Sequence, residues 1–210
     1  MKNHTLLQRF LYRLSQVISQ ILFRTLGLLI VHGRENIPKK GGYLLASNHL
    51  SNMDPPLVGS SLWRPIYYFA KEELFRIPVL GWWIAQINAF PVKRYEHDIG
   101  AFKKARAVLA AGEGLLMFPE GRRSKTGELG KAKPGAGMLA IKAGVPVIPV
   151  HITNSHKFLK FSRLRLDFGA PLWPSDEILR QENYEEFSAQ IMAAIAALKS
   201  KMYNEPSSKK

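Results

Sequence analysis

A chain of 210 residues with 46% hydrophobic and 22% charged residues suits one domain with a sizeable core, and excludes both a disordered chain and a simple membrane bundle. Cysteine is absent, which excludes disulfides, thiolate metal sites and a cysteine nucleophile and fits a reducing compartment. The formal net charge of +14 favours polyanions, and nucleic acid, an anionic membrane and an acidic carrier protein all satisfy it.

The first predicted element is a helix over residues 5–31. Leu7, Phe10, Leu11, Leu14, Val17, Ile18, Ile21 and Leu22 recur at spacings of three and four, while Gln8, Arg9, Arg13, Gln16, Gln20 and Arg24 fall mostly on the other side. That is the pattern of a helix lying in a bilayer interface, and equally of an amphipathic helix packed on a core. The basic polar side and the apolar run Leu28-Leu29-Ile30-Val31 favour the membrane. Arg9, Arg13 and Arg24 interrupt the apolar sequence, so neither a cleavable signal peptide nor a spanning helix of ~18 uncharged residues is expected.

Beyond the turn at Gly41-Gly42, Tyr43–Ser47 reads as a buried strand. Asp54-Pro55-Pro56 opens a helix, with Asp54 as the expected N-cap. Strands are expected over 66–70, 89–92, 114–118, 145–152 and 164–168. Helices are expected over 99–111, up to Ala143, and across 176–202. Pro206 to Lys210 reads as a frayed tail. Strands alternating with helices indicate an α/β fold: a single domain with a mixed, mostly parallel sheet covered by helices, preceded by the amphipathic segment. The expected division is a membrane-binding segment over 1–32, a catalytic domain over 33–205 and the tail over 206–210.

Two constellations follow predicted strands, where α/β folds commonly carry function. In Asn48-His49-Leu50-Ser51-Asn52-Met53-Asp54, an Asp five positions after a His can fold back and accept the imidazole N–H. The other ring nitrogen is then free to take a proton from a hydroxyl. Asp54 serving only as a helix cap is the other reading, and a carboxylate has oxygens enough for both. In Phe118-Pro119-Glu120-Gly121-Arg122-Arg123-Ser124, the two guanidinium groups suit a phosphate, with Ser124 and the backbone beside Gly121 as further donors. A solvated basic loop would read the same way. Lys71 and Arg94 also lie just past strands. The histidines lack metal-site spacing, and no serine sits in a nucleophile elbow. No RNP-like or C2H2 motif supports nucleic acid as the partner.

The blocks also occur in a telling order. Asn48-His49-x-Ser51-x-x-Asp54 is followed by Lys71-x-Glu73-Leu74, then Gly81 with Phe90-Pro91-Val92-Lys93-Arg94. Next come Phe118-Pro119-Glu120-Gly121-x-Arg123-Ser124 and Val145-Pro146-Val147-Ile148-Pro149-Val150. Over roughly residues 30–170 this resembles the glycerolipid acyltransferase family, and within it the bacterial 1-acyl-glycerol-3-phosphate acyltransferases. The resemblance implies acyl transfer from acyl carrier protein or coenzyme A to the 2-hydroxyl of 1-acyl-glycerol 3-phosphate, with no metal or cofactor. His49 would be the base and Asp54 its orienting partner. Lys71, Arg94 and Arg122 would bind the acceptor phosphate, Glu120 and Gly121 would shape the acceptor site, and Val147-Ile148-Pro149 would line the acyl or donor region. The implied partners are an acyl thioester, a lysophospholipid and an anionic membrane surface, with attachment at the cytoplasmic face of the cell membrane. The spacing between Gly81 and Arg94 is longer than the family's usual second block.

Overall fold

The computed structural model describes residues 4–93, 98–160 and 162–204. The expected tail from Pro206 to Lys210 lies outside them, as does Arg94. Seven strands form one sheet: β1 (Ile30–His32), β2 (Tyr43–Ser47), β3 (Ile66–Lys71), β4 (Ala89–Val92), β5 (Gly114–Met117), β6 (Val147–Thr153) and β7 (Arg165–Phe168). Their order is β1-β7-β6-β2-β5-β3-β4. The five strands β6, β2, β5, β3 and β4 run parallel, and the β1–β7 pair runs against them. The sheet is therefore mixed and mostly parallel, as the alternation of elements indicates. Its outer strands suit their places. β1 is three residues long, and Pro91, which has no N–H for a ladder, sits on the edge strand β4.

Strand β2 is buried along its whole length, because helices cover both faces of the sheet. Alternation sends Tyr43 and Leu45 to one face and Leu44 and Ala46 to the other. The first face is covered by α1 (Leu6–Thr25) and α2 (Asp54–Ser60), through Tyr12, Phe23, Leu57 and Val58. The second is covered by α4 (Ile99–Ala110), α5 (Gly135–Ala143) and α7 (Tyr184–Asn204), through Ala105, Leu109, Leu139, Phe187 and Ile191. Each fully buried Leu or Ile contributes roughly 1.5–3 kcal/mol of transfer free energy. Two shorter helices complete the chain, α3 (Leu80–Gln86) and α6 (Asp176–Gln181).

The N-terminal segment differs from its sequence reading in its length. The helix ends at Thr25 rather than near residue 31, and Ile30–His32 is the edge strand β1, paired with β7. The apolar run that favoured the membrane therefore belongs partly to the sheet. The two sequence readings of the helix differ in which side meets the domain. Gln16 Nε2 donates to Gly59 O and Leu62 O, and Gln20 Nε2 donates to Ser60 O. These amides satisfy carbonyls at the C-terminal end of α2, which a helix leaves without internal partners. Much of the polar side thus packs on the domain, and Leu6, Leu7, Phe10, Val17, Ile18 and Ile21 stand in solvent.

The expected helix over 176–202 is broken at Glu182, which adopts a left-handed conformation at the end of α6. The expected capping role of Asp54 is also corrected. α2 begins at Asp54 itself, its N-cap is Met53 without a side-chain bond, and the Asp54 carboxylate reaches back over the preceding loop.

Candidate active site

The parallel strands all end at one edge of the sheet, and the two constellations meet there. His49 leaves β2, and the Phe118–Ser124 loop leaves its neighbour β5. Asp54 is fully buried. Its Oδ2 accepts from Leu50 N at 2.6 Å and Ser51 N at 2.8 Å, and lies 2.8 Å from His49 Nδ1. Two backbone donors on the same oxygen mark it as an acceptor, so Nδ1 is the ring nitrogen that carries hydrogen. Nε2 is left with its lone pair and has no partner among the described residues. Met53 and the start of α2 hold this geometry from one side.

On the other side, the His49 ring stacks on Phe118, with centroids 3.8 Å apart and planes 13° from parallel. Asn48 clamps the strand end: its amide donates to Ile152 O at 2.9 Å and accepts from Ile152 N at 2.7 Å. Glu120 is buried. One carboxylate oxygen lies 3.4 Å from His49 N and the other accepts from Gly130 N at 3.0 Å. It therefore ties the His49 loop to the glycine-rich loop, which fits a holding role rather than proton transfer. Glu120→Ala leaves two backbone donors without their acceptor. The expected loss is about 1–3 kcal/mol of stability, read as a lowered Tm by thermal melting.

Ser124 serves the same frame. Its N–H donates to His49 O at 2.8 Å, and its hydroxyl donates to Glu128 O and accepts from Gly127 N. Gly121 turns the loop at φ 69°, with the Lys133 stem packed where a side chain would lie. A cleft of about 500 Å³ opens beside it, lined by Glu120, Gly121, Arg122, Gly130, Lys131, Ala132 and Lys133. Three cations around one cleft suit a phosphate. Lys131 and Lys133 were not singled out by sequence; only their position in a Lys- and Gly-rich stretch after the second constellation pointed to them. The arginine of the Phe-Pro-Glu-Gly-x-Arg-Ser block is Arg123, and Arg122 occupies its variable position. Both are exposed. Lys71, at the end of β3, pairs with Glu73 at 3.0 Å.

The backbone N–H groups nearest the His49 ring are engaged: His49 N faces Glu120, and Leu50 N and Ser51 N serve Asp54. The second buried histidine, His151 on β6, is a poor base. Burial pushes its imidazole down to about 4, against the attraction of Asp167, and Nδ1 lies 3.3 Å from the Thr153 hydroxyl. No group of three or more His, Asp or Glu side chains that could hold a metal occurs among the described residues.

A family model described as Acyltransferase matches residues 29–153, which include His49, Asp54 and Glu120. A 1-acyl-sn-glycerol-3-phosphate acyltransferase of Borreliella burgdorferi is 29% identical over 164 residues, 75% of this chain and 65% of that protein. The enzyme of the same name from Bacillus subtilis is 28% identical over 79% of this chain and 84% of its own length. A chloroplastic one from Brassica napus is 33% identical over 61% of this chain and 38% of its own length. The chain thus spans less than two thirds of the length of the first curated relatives it matches. The crystal structure of the 1-acyl-sn-glycerophosphate acyltransferase from Thermotoga maritima superposes with a TM-score of 0.66 at 29% identity, covering 90% of this chain and 80% of that one.

Proposed function

The chain belongs to the acyltransferase family, and we propose that it moves a fatty acyl group from a thioester to the 2-hydroxyl of 1-acyl-glycerol 3-phosphate, giving phosphatidic acid. The observation that carries this reading is the His49–Asp54 pair, with an imidazole nitrogen left free and a cationic cleft joined to its loop through Glu120. The acceptor hydroxyl gives its proton to His49 Nε2 as its oxygen attacks the thioester carbonyl carbon. The imidazolium is stabilised by Asp54. The tetrahedral intermediate collapses by breaking the C–S bond, and the thiolate leaving group recovers the proton from Nε2. No covalent acyl-enzyme is required. The thioester is carried by acyl carrier protein or coenzyme A.

The acceptor phosphate belongs in the cleft, with Arg122 and its motif neighbour Arg123 as guanidinium donors. Lys71 and Arg94 are further phosphate-binding cations in this reading, and the backbone beside Gly121 shapes the site. Charge-assisted bonds of this kind contribute roughly 1.5–3 kcal/mol. An Arg122→Ala, Arg123→Ala double variant is therefore expected to raise the apparent KM for the phosphate-bearing acceptor by roughly tenfold or more. The loss should be much smaller with an acceptor that lacks phosphate. An equal loss with both acceptors assigns the pair to folding rather than recognition.

Both acceptor and product are lipids, so the site must work at a bilayer. We place the chain on the cytoplasmic face of the cell membrane, held there by the 1–32 segment ahead of the catalytic domain over 33–205. No helix among the described residues is long and apolar enough to cross a membrane. Instead, α1 presents apolar side chains outward while its glutamines bind the domain. Such a surface suits insertion into one leaflet, with the net charge of +14 drawing the chain to anionic lipid. A product-resolved assay with both thioester donors and a panel of lysolipids tests the proposal. Phosphatidic acid is expected as the main product. Transfer to a neutral lysolipid at an equal rate would assign a different acceptor.

A further inference from the structure

The crossover from β3 to β4 carries a feature that acyl transfer does not use. After Lys71 the chain makes a 3-10 turn over Glu72–Arg76 and then enters α3 through Ile77-Pro78-Val79-Leu80. Leu80 N donates to Pro78 O at 2.7 Å, spanning Val79, whose φ and ψ are 64° and −57°. This is a γ-turn of the positive-φ kind, which is rare, and a β-branched residue is among the least suited to its centre. Gly81 N to Ile77 O at 2.8 Å and Trp83 N to Val79 O at 2.9 Å hold the turn. Gly81 also lets it lie against the 3-10 turn, because a Cβ there would collide with the Phe75 carbonyl.

Strain of this kind is ordinarily offset by burial, and here it is not. Val79 is 79% exposed, and Ile77, Leu80 and Trp82 are exposed beside it. The surrounding backbone is thus arranged to hold apolar side chains in solvent. Strain that is held in place by its surroundings points to function.

We propose that the Ile77–Trp82 turn is a second membrane-inserted element, entering the same anionic leaflet as α1. The inference rests on the interfacial reading of α1 given above. Three observations favour lipid as the occupant. α3, which the turn opens, neighbours α1, the helix already assigned to the bilayer. Trp82 joins aliphatic side chains in solvent, and Trp is enriched at membrane–water interfaces. The turn also starts from the β3 end that carries Lys71, at the catalytic edge of the sheet. A single helix in a leaflet leaves the domain free to roll about the helix axis. A second attachment off that axis fixes the roll, and so fixes the height of the His49 edge above the lipid.

The test uses the full chain with α1 intact. One protein keeps Trp82 as its only tryptophan, with Trp63, Trp83 and Trp173 replaced by Phe. It is mixed with phosphatidylcholine–phosphatidylglycerol vesicles carrying brominated acyl chains. Trp82 emission is expected to be quenched on binding. In the otherwise native chain, Val79→Asp should weaken vesicle partition by roughly tenfold while leaving transfer to a micellar short-chain acceptor unchanged. Val79→Gly should relieve the positive φ and raise Tm, yet still weaken partition, a combination that a purely structural turn does not give. Vesicle-bound protein whose Trp82 escapes quenching overturns the second attachment and leaves the α1 reading standing. A wild-type chain that does not bind vesicles overturns both. If Val79→Asp instead dissociates a dimer in sedimentation and leaves partition unchanged, the turn docks a second copy and the membrane assignment is wrong.

Discussion

His49→Ala is expected to reduce acyl transfer by about 10²–10⁴-fold, the usual range for loss of a general base, while the protein stays folded. The substitution removes the Nε2 lone pair that takes the proton in the proposed step, and the neighbouring backbone N–H groups are donors and are engaged. Folding survives because Asp54 keeps two backbone donors, from Leu50 and Ser51, and because the stack on Phe118 lies at the rim of the core. Asp54→Asn should be comparably severe for a different reason. An amide oxygen can occupy the Oδ2 position and keep all three donors, but it brings no charge to stabilise the imidazolium. Its NH2 would fall at the Oδ1 position, which is buried and has no partner, an added cost of about 1–3 kcal/mol. Rates with a saturating thioester, beside thermal melts of each variant, separate the two effects. Near-normal turnover by folded His49→Ala protein would sink the mechanism.

The second large effect is expected at the membrane. Deleting α1 is a poor test, because Tyr12 and Phe23 are part of the core and the Tyr12 hydroxyl bonds Tyr68 at 3.1 Å and accepts from Ile66 N at 3.0 Å. The informative change is on the outward side. Phe10 and Ile21 are 62% and 60% exposed, so Phe10→Ser with Ile21→Ser should leave the melting temperature nearly unchanged. Each large apolar side chain buried in a leaflet contributes about 1.5–3 kcal/mol, so the pair should weaken vesicle partition by roughly 10²-fold or more. Activity on vesicle-borne lysolipid should fall with partition, and activity on a micellar short-chain lysolipid should not. Salt should weaken the binding of both proteins without abolishing it in the wild type, since ions screen charge attraction over about 8–10 Å but leave apolar burial intact. Unchanged partition of the double variant would remove α1 from the membrane account.

Much of this was readable from the sequence where the interactions are local. The His49–Asp54 pair spans five residues and a single turn, so spacing alone could propose it. The strands were marked by short apolar runs bounded by turn residues. Contacts between strands were less accessible. Phe118 and Glu120 reach His49 only because β5 lies beside β2, and strand order is not written in local periodicity. The direction of α1 was left open for a related reason. Periodicity defines an apolar stripe but not which side the domain takes, and Gln16 and Gln20 chose it by meeting the open carbonyls of α2. The apolar run at Ile30-Val31 looked like more helix because its partner strand β7 lies over 130 residues away. Asp54 looked like a cap because Asp before Pro usually is one. Here the loop amides of Leu50 and Ser51, with His49, claim its oxygen.

The central claim is direct transfer of the acyl group from sulfur to a lysolipid hydroxyl, driven by His49. The most direct test follows both products at once. Purified protein on anionic vesicles is given an acyl thioester with and without 1-acyl-glycerol 3-phosphate, and free thiol and phosphatidic acid are counted together. The account predicts equal amounts of the two, neither formed without acceptor, and both lost in His49→Ala. Thiol release that proceeds without acceptor, or phosphatidic acid formed at an undiminished rate by the His49→Ala protein, would contradict it.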